Sequence, residues 1–202
     1  DLSQQISGNK TTYWEATKIT GTDNYSYNGM IFTYIDRQTI SSSISGLFLI
    51  EMNGAYAETA TFPDEIHLID GSTTTTVQLI GFKCSKAINT TTKKLVFPNS
   101  LIYYENTGVN DIQSIVSNGC KFIYLMNQEL KILPDFPSLV DLWITESSKL
   151  TEINTNLSIN LRVTNISDNL ISINCPNANS FVISNCNSLE HINFENSKVH
   201  YG

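Results

Sequence analysis

An irregular repeat occupies the carboxyl-terminal part of the chain from about residue 120 onward. Each unit of 18 to 20 residues contains an apolar-x-apolar triplet, a small or polar residue three positions later, and a second apolar pair. The triplets are Phe122-x-Tyr124, Leu142-x-Ile144, Leu161-x-Val163 and Phe181-x-Ile183; the pairs are Leu130-x-x-Leu133, Leu150-x-x-Ile153, Leu170-x-x-Ile173 and Leu189-x-x-Ile192; Val199-x-Tyr201 begins a fifth unit. A period in this range predicts a solenoid of stacked coils, which presents an extended surface rather than an enclosed pocket.

The triplet predicts a short strand, because alternate side chains of a strand point to the same face. The two apolar residues therefore point inward and the middle residue points outward. The residue three positions further on is expected where the chain turns off the strand, and Asn127, Ser147 and Cys186 suit such a turn, whereas Ile166 departs from the pattern. Stacked coils place equivalent strands about 4.8 Å apart in a parallel sheet.

The outward middle residues form a predicted ladder along the exposed face of this sheet. An exposed tryptophan beside an arginine, as Trp143 and Arg162 would be, is a composition favoured at interaction hot spots. Two interpretations stay open. In the first, the ladder contacts a partner. In the second, it has no binding role, because it is plain sheet surface or is covered by amino-terminal loops or another copy. The ladder runs Val96, Ile123, Trp143, Arg162, Val182 and His200, flanked by Asp141, Thr145, Asn160, Thr164, Ser180 and Ser184.

The amino-terminal part carries hairpin signals instead of a repeat. Asn28-Gly29, Asn53-Gly54 and Asp70-Gly71 each border apolar runs and favour tight turns, in which positive φ angles are required. Helix signals are nearly absent. We predict an antiparallel β cap over residues 1–60, followed by a solenoid over residues 61–202 with regular coils from about residue 120 and degenerate coils over 61–119.

One degenerate coil is predicted before the regular ones. Its strand triplet is Leu95-x-Phe97-x-x-Ser100 and its second pair is Ile112-x-x-Ile115, which leaves residues 102–111 as an inserted loop. This loop contains Tyr103 and Tyr104. Insertions in repeat proteins often carry binding residues, so both tyrosines are candidate contacts, with a plain surface loop as the alternative.

Composition excludes several classes of function. The net charge is −7 and the pI is about 4.8, which argues against a nucleic-acid-binding protein. No stretch is long and apolar enough to predict a membrane-spanning helix. The chain starts at Asp1 without a methionine, so we expect that a leader, with a lipid anchor as one possibility, preceded it. The four cysteines match no zinc motif, and a Cys84–Cys120 disulfide is neither indicated nor excluded.

Catalytic motifs are missing from the sequence. His67, His191 and His200 occupy unrelated positions, and no metalloprotease, nucleophile-elbow or phosphate-loop pattern occurs. Asp64 and Glu65 are adjacent and would point apart on a strand, which is unsuited to paired acid–base chemistry. We therefore expect no enzymatic activity, no cofactor and no metal site.

The run Leu139-x-x-Leu142-x-Ile144-x-x-Ser147-x-x-Leu150-x-x-Ile153 resembles the leucine-rich repeat. The segments 61–66, 80–84 and 95–101 resemble motifs of BspA-like surface proteins, which are common in gut and oral Bacteroidetes. The resemblance covers roughly residues 60–201. It implies a β-rich member of the α/β-horseshoe superfamily with little helix, located on the cell surface or secreted, that binds other proteins or host matrix and has no catalytic residues.

Together these features predict a non-enzymatic binding protein that contacts a host or bacterial protein through a concave parallel sheet. The predicted contacts are Ile123, Trp143, Arg162, Val182, Asp141, Thr145, Asn160, Tyr103 and Tyr104. A carbohydrate-binding accessory module is the alternative, with Trp143, Tyr103 and Tyr104 as stacking platforms; a structural spacer is a third. Sugar sites need aromatic rings interleaved with Asp, Asn and Arg in a groove, whereas protein sites tolerate a flatter apolar stripe with a polar rim.

Overall fold

A computed structural model describes residues 13–54, 56–126, 129–146, 149–166 and 169–197. The predictions made for Asn127, Ser147, Val199, His200 and Tyr201 lie outside the described residues. Within that part of the chain all regular structure is strand, in the following order: β1 (Tyr13–Lys18), β2 (Tyr25–Tyr27), β3 (Met30–Gln38), β4 (Ser43–Met52), β5 (Thr59–Thr61), β6 (Glu65–Asp70), β7 (Thr73–Val77), β8 (Leu79–Cys84), β9 (Lys94–Val96), β10 (Tyr103–Asn106), β11 (Ser114–Val116), β12 (Phe122–Met126), β13 (Asp141–Thr145), β14 (Glu152–Asn154), β15 (Asn160–Thr164), β16 (Ser172–Asn174), β17 (Ser180–Ser184) and β18 (His191–Asn193).

The strands build a parallel β-solenoid of about five turns, so the predicted solenoid architecture is confirmed. One side of every coil contributes a strand to a long 12-stranded sheet, in which β8, β10, β12, β13, β15 and β17 follow one another in chain order. The opposite side carries two three-stranded parallel sheets, β5–β9–β11 and β14–β16–β18. No helix in the described ranges is long and apolar enough to cross a membrane.

The core lies between the long sheet and the two short ones. Leu142 and Ile144 of β13 and Leu161 and Val163 of β15 are buried there, as the triplet predicts. Ile153, from the second apolar pair of its coil, is buried on the opposite side. Equivalent positions from Phe122 to Ser180 follow at intervals of 19, 19 and 20 residues. The apolar residues of the β13 and β15 triplets therefore point inward, as predicted.

The first regular coil has a different register from the prediction. Ile123 pairs with Leu142 and is 3% exposed, so its predicted outward position is wrong. Phe122 and Tyr124 are outward and Ile123 and Leu125 are inward. Every residue of β12 is apolar or aromatic, so the period-2 pattern contains no polar position that distinguishes the two faces.

The predicted loop containing Tyr103 and Tyr104 is strand β10 of the long sheet. Tyr104 is fully buried and its ring stacks on that of Phe82 with the centroids 5.0 Å apart, so it cannot be a surface contact. The triplet beginning at Leu95 instead belongs to β9 on the opposite side, beside β5 and β11. Val96 therefore does not belong to the outward ladder, which is a second correction.

The amino-terminal strands continue the long sheet in the order β8–β4–β3–β2–β1–β6–β7. Asn28 and Gly29 form the predicted tight turn between β2 and β3, with φ angles of 48° and 78°. Pairing is mixed rather than antiparallel throughout, because β1–β6 and β4–β8 are parallel. No hairpin follows Asn53-Gly54 among the described strands; instead, Asn53 N–H donates to the Gly29 carbonyl, and the next strand, β5, joins β9.

Candidate binding cleft

Two rows of side chains run across the outer face of the long sheet. The central row contains the registered residues Lys83, Glu105, Tyr124, Trp143, Arg162 and Val182. The flanking row contains Gly81, Tyr103, Phe122, Asp141, Asn160 and Ser180. Both rows arise because each coil places a given strand position directly beside the equivalent position of the next coil.

The end of the β3–β4 hairpin, residues 35–46, folds over part of the flanking row. Ile44 and Phe48 pack with Tyr103 and Phe122 in a small apolar cluster that is separate from the main core. The ring of Phe48 occupies the space where a Cβ at position 81 would lie, so Gly81 is required there. The amino-terminal region therefore covers one row and leaves the central row beside it.

Asp141 holds the tip of the hairpin against the solenoid. Its Oδ2 accepts hydrogen bonds from Ser41 N–H at 2.9 Å and from Ser41 Oγ at 2.8 Å, and its Oδ1 accepts one from Asn160 Nδ2 at 2.8 Å. The tip is also closed internally, because Thr39 N–H and Thr39 Oγ1 both donate to the Ser42 carbonyl. Asp141 is only 3% exposed. Burying a carboxylate is unfavourable unless it is hydrogen-bonded, and these three donors compensate for that cost.

A second polar contact joins the hairpin to β10. Arg37 Nε donates to Tyr103 Oη at 2.8 Å and lies 2.9 Å from Glu105 Oε2. Tyr103 Oη in turn donates to Glu105 Oε2 at 2.6 Å. Burial, together with this hydrogen bond to the carboxylate, raises the pKa of Tyr103 well above its ordinary value. The phenol therefore stays protonated and donates, and Arg37 is committed to the network.

Between the hairpin and the two rows lies an open cleft with a volume of about 320 Å³. Residues 37–40 line its hairpin side. The sheet side is lined by Tyr103, Phe122, Ile123, Tyr124, Asp141, Trp143 and Arg162. The cleft thus combines aromatic rings with two guanidinium groups and one carboxylate.

Trp143 is sandwiched within the central row. Its ring stacks on that of Tyr124 with centroids 4.5 Å apart and planes inclined by 26°, and the guanidinium carbon of Arg162 lies 4.9 Å from the Trp143 ring centroid. The indole is half-buried, and its Nε1–H is inaccessible and forms no hydrogen bond within the described residues. Both faces of the indole are consequently occupied, so another flat group meets only its edge.

Trp143, Arg162 and Val182 occupy the central row as predicted, whereas Asp141 and Asn160 lie in the flanking row. Thr145 is 7% exposed and lies two positions along the strand from Trp143. Tyr103 lines the cleft although it is only 4% exposed, and Ile123 contributes to the lining from the core side. The structure thus brings the candidates into one region, apart from Tyr104.

Several cleft residues were missed from the sequence. Arg37 and the hairpin tip come from a segment without a repeat, and Tyr124 was assigned to the wrong face. The only local signal for the tip is the run of hydroxyl residues from Thr39 to Ser42 between two alternating strands, which is typical of a turn. Nothing in that run indicates which distant carboxylate it binds.

The described residues contain no group of three or more His, Cys, Asp or Glu side chains placed to hold a metal ion. All four cysteines are free thiols. Among the described residues, Asp141 is the one carboxylate that lines the cleft, and both of its oxygens already accept hydrogen bonds. Comparisons of the chain with protein-family models, with curated proteins and with solved structures find no match.

Proposed function

We propose that the chain is a non-enzymatic binding protein that contacts a partner protein through the cleft and the central row. The observation that carries the proposal is the stacked pair of Trp143 and Arg162, which forms one wall of a cleft beside exposed apolar side chains. Ile40 is 42% exposed at the hairpin tip and Val182 is 50% exposed at the other end of the row. Aromatic and arginine side chains in a partly desolvated site are typical of protein-interaction hot spots.

A protein partner fits the ring geometry better than a stacked sugar does. Carbohydrate stacking requires an open aromatic face, and both faces of Trp143 are occupied. The other two proposed platforms, Tyr103 and Tyr104, are 4% and 0% exposed. The carbohydrate alternative is supported only by the mixture of Arg37, Asp141 and aromatic rings in one groove.

The proposal contains no reaction, because Asp141 and Glu105, the two carboxylates that hydrogen-bond to cleft residues in the described part of the chain, are committed to structural contacts. Asp141 accepts bonds from Ser41 and Asn160, and Glu105 accepts from Tyr103 and pairs with Arg37. A general base must be able to reach a substrate proton, and neither carboxylate is exposed above one-tenth.

The proposal includes membership of the leucine-rich-repeat class, resemblance to BspA-like proteins, and a secreted or cell-surface location. Coil lengths of 19 and 20 residues support the repeat class. The two Phe-Pro segments quoted for the BspA-like resemblance also lie in equivalent positions, because β5 pairs with β9 and the rings of Phe62 and Phe97 stack 4.6 Å apart. These features concern the fold, and the location follows only from the resemblance.

The test is a binding screen of purified extracellular-matrix proteins beside a glycan array. Trp143→Ala and Arg162→Ala should each weaken binding of a captured protein by about tenfold or more, because hot-spot truncations commonly exceed 1.4 kcal/mol. Tyr34→Ala is the matched control, since Tyr34 is 54% exposed and lies outside the cleft. Binding that all three variants retain would refute the assigned surface, and binding only to glycans would favour the carbohydrate alternative.

A further inference from the structure

The two arginines of the whole sequence both line the cleft, although the chain carries a net charge of −7. The two arginines differ in their hydrogen bonds and ion pairs. Arg37 is committed to Tyr103 and Glu105, whereas the guanidinium of Arg162 forms no ion pair or hydrogen bond with any of the described residues. Arg162 is therefore the cleft cation that no carboxylate of the described residues neutralises.

The nearest cleft carboxylate does not satisfy Arg162. Asp141 is buried, and its two oxygens accept bonds from Ser41 and from Asn160. In the central row Arg162 lies between Trp143 and Val182, neither of which carries charge. An anion supplied from outside would meet little competition for the guanidinium.

Stacking on Trp143 also orders the guanidinium before a ligand arrives. A planar guanidinium held against an indole loses less rotamer freedom when it binds than a free side chain does. Its edge offers parallel N–H donors, which match the two oxygens of a carboxylate. The arrangement thus favours a planar, bidentate anion rather than a point charge.

Apolar groups line the same cleft as this cation. Ile40 lines the cleft from the hairpin tip, and Phe122 lines it from the sheet. A volume of about 320 Å³ is at the small end of ligand sites and accommodates one or two side chains of a peptide, not a folded domain. The occupant must therefore present an apolar group and an anion side by side.

We infer that the cleft receives an extended peptide segment of the partner protein, with a Glu or Asp carboxylate on Arg162 and an adjacent apolar side chain between Ile40 and Phe122. This inference rests on the proposed function and specifies its ligand. The anion is assigned to a peptide rather than to an acidic sugar, because the indole faces that a sugar ring would need are occupied.

The experiment uses end-blocked hexapeptides with a central Phe-Glu or Phe-Gln pair in Gly-Ser flanks, titrated into the full chain and followed by fluorescence anisotropy. Wild-type protein should bind the Glu peptide about five- to tenfold more tightly than the Gln peptide, since charge-assisted pairs have that strength. Arg162→Gln should abolish this preference, and Arg162→Lys should retain part of it. Lys131→Gln, which removes an exposed cation outside the cleft, should leave it unchanged.

Each contrary result has a distinct meaning. Equal binding of the two peptides that Trp143→Ala abolishes would overturn the charge inference and leave the proposed function standing. A Glu preference that survives in Arg162→Gln would overturn the role of Arg162. Charge-dependent binding confined to uronic-acid or sulfated oligosaccharides would contradict the assignment of the ligand as a peptide. If no peptide, matrix protein or glycan binds, the inference and the proposed function are both overturned.

Discussion

Ser41 donates two hydrogen bonds, through N–H and Oγ, to the carboxylate of Asp141, a residue 100 positions further along the chain. This contact fixes the β3–β4 hairpin on the outer face of the solenoid, and so it also sets the width of the cleft beside Trp143. The geometry of the candidate site depends on a contact between regions with different sequence patterns.

Asp141→Ala should destabilise the protein by about 2–3 kcal/mol, because the three hydrogen bonds that Ser41 and Asn160 donate to the buried carboxylate would be lost. Ser41→Ala should cost only about 0.5–1.5 kcal/mol, since the backbone N–H keeps its bond. Urea unfolding measures both free energies. In the double variant the effects should fall short of their sum, and strict additivity would argue against a shared network. Ser85→Ala, on an exposed serine, is the control.

The register of β13 can be tested through adjacent residues. Leu142→Ala should cost about 2–5 kcal/mol because the side chain is fully buried. Trp143→Ala should cost about 1–2 kcal/mol, since the indole is half-buried and loses mainly its stack with Tyr124. Thermal and urea unfolding compare the two. Equal losses would contradict the assignment of Leu142 inward and Trp143 outward.

The repeat made the inward face of the later coils predictable, because polar residues alternate with apolar ones there. In β15, Asn160, Arg162 and Thr164 alternate with Leu161 and Val163, so only one face is able to join the core. In β12 no polar residue marks the outer face, and the register was one residue off. Amphipathic alternation, rather than the repeat period, is the information that fixes the register.

The cleft was only half predictable for a different reason. Trp143 and Arg162 follow from the coil register, since parallel stacking must place equivalent residues side by side. The opposite wall comes from Arg37 and the hairpin tip, whose position depends on burying Phe48 over Gly81. Such a contact between distant segments has no periodic signature in the sequence.

Buried thiols should make the protein sensitive to alkaline pH. Burial raises the pKa of Cys120 to about 12 and that of Cys175 to about 11, from an ordinary value of about 8.5. Above that ordinary value the unfolded thiols ionise while the folded ones keep their protons, so stability falls as pH rises. Between about pH 9 and 10 we expect a loss of about 1 kcal/mol per thiol, because the unfolded thiol is not yet fully ionised at pH 9.

Urea unfolding at pH 8, 9 and 10 measures this loss. Cys120→Ser is the informative variant, because a hydroxyl can donate to the Phe122 carbonyl as the thiol does but does not ionise in this range. In this variant the unfolding free energy should fall less steeply with pH, and the difference in slope should correspond to about one proton. An unchanged slope would mean that Cys120 is not shielded as described. Above pH 10, Tyr103 and Tyr104, whose pKa values burial also raises, should add losses of the same sign.

A row of residues with left-handed backbone conformation lies at one corner of the coils and suggests a stabilising substitution. Glu146, Asn165 and Asn185 occupy equivalent positions and have φ angles of 52°, 57° and 53°. Asn185 Nδ2 donates to Asn165 Oδ1 at 2.8 Å. Asparagine tolerates this left-handed conformation better than glutamate does, because its short side chain can bond locally.

Glu146→Asn should therefore stabilise the solenoid by about 0.5–1 kcal/mol, by relieving an unfavourable backbone preference and extending the amide ladder by one coil. Asn165→Ala should have the opposite sign and cost about 1 kcal/mol or more, since it removes the acceptor of Asn185 and places alanine at positive φ. Glu146→Gln separates conformation from charge: it neutralises the exposed carboxylate but keeps the longer side chain. If Gln stabilises as much as Asn in urea unfolding, charge removal is the cause, and the ladder does not extend to this coil.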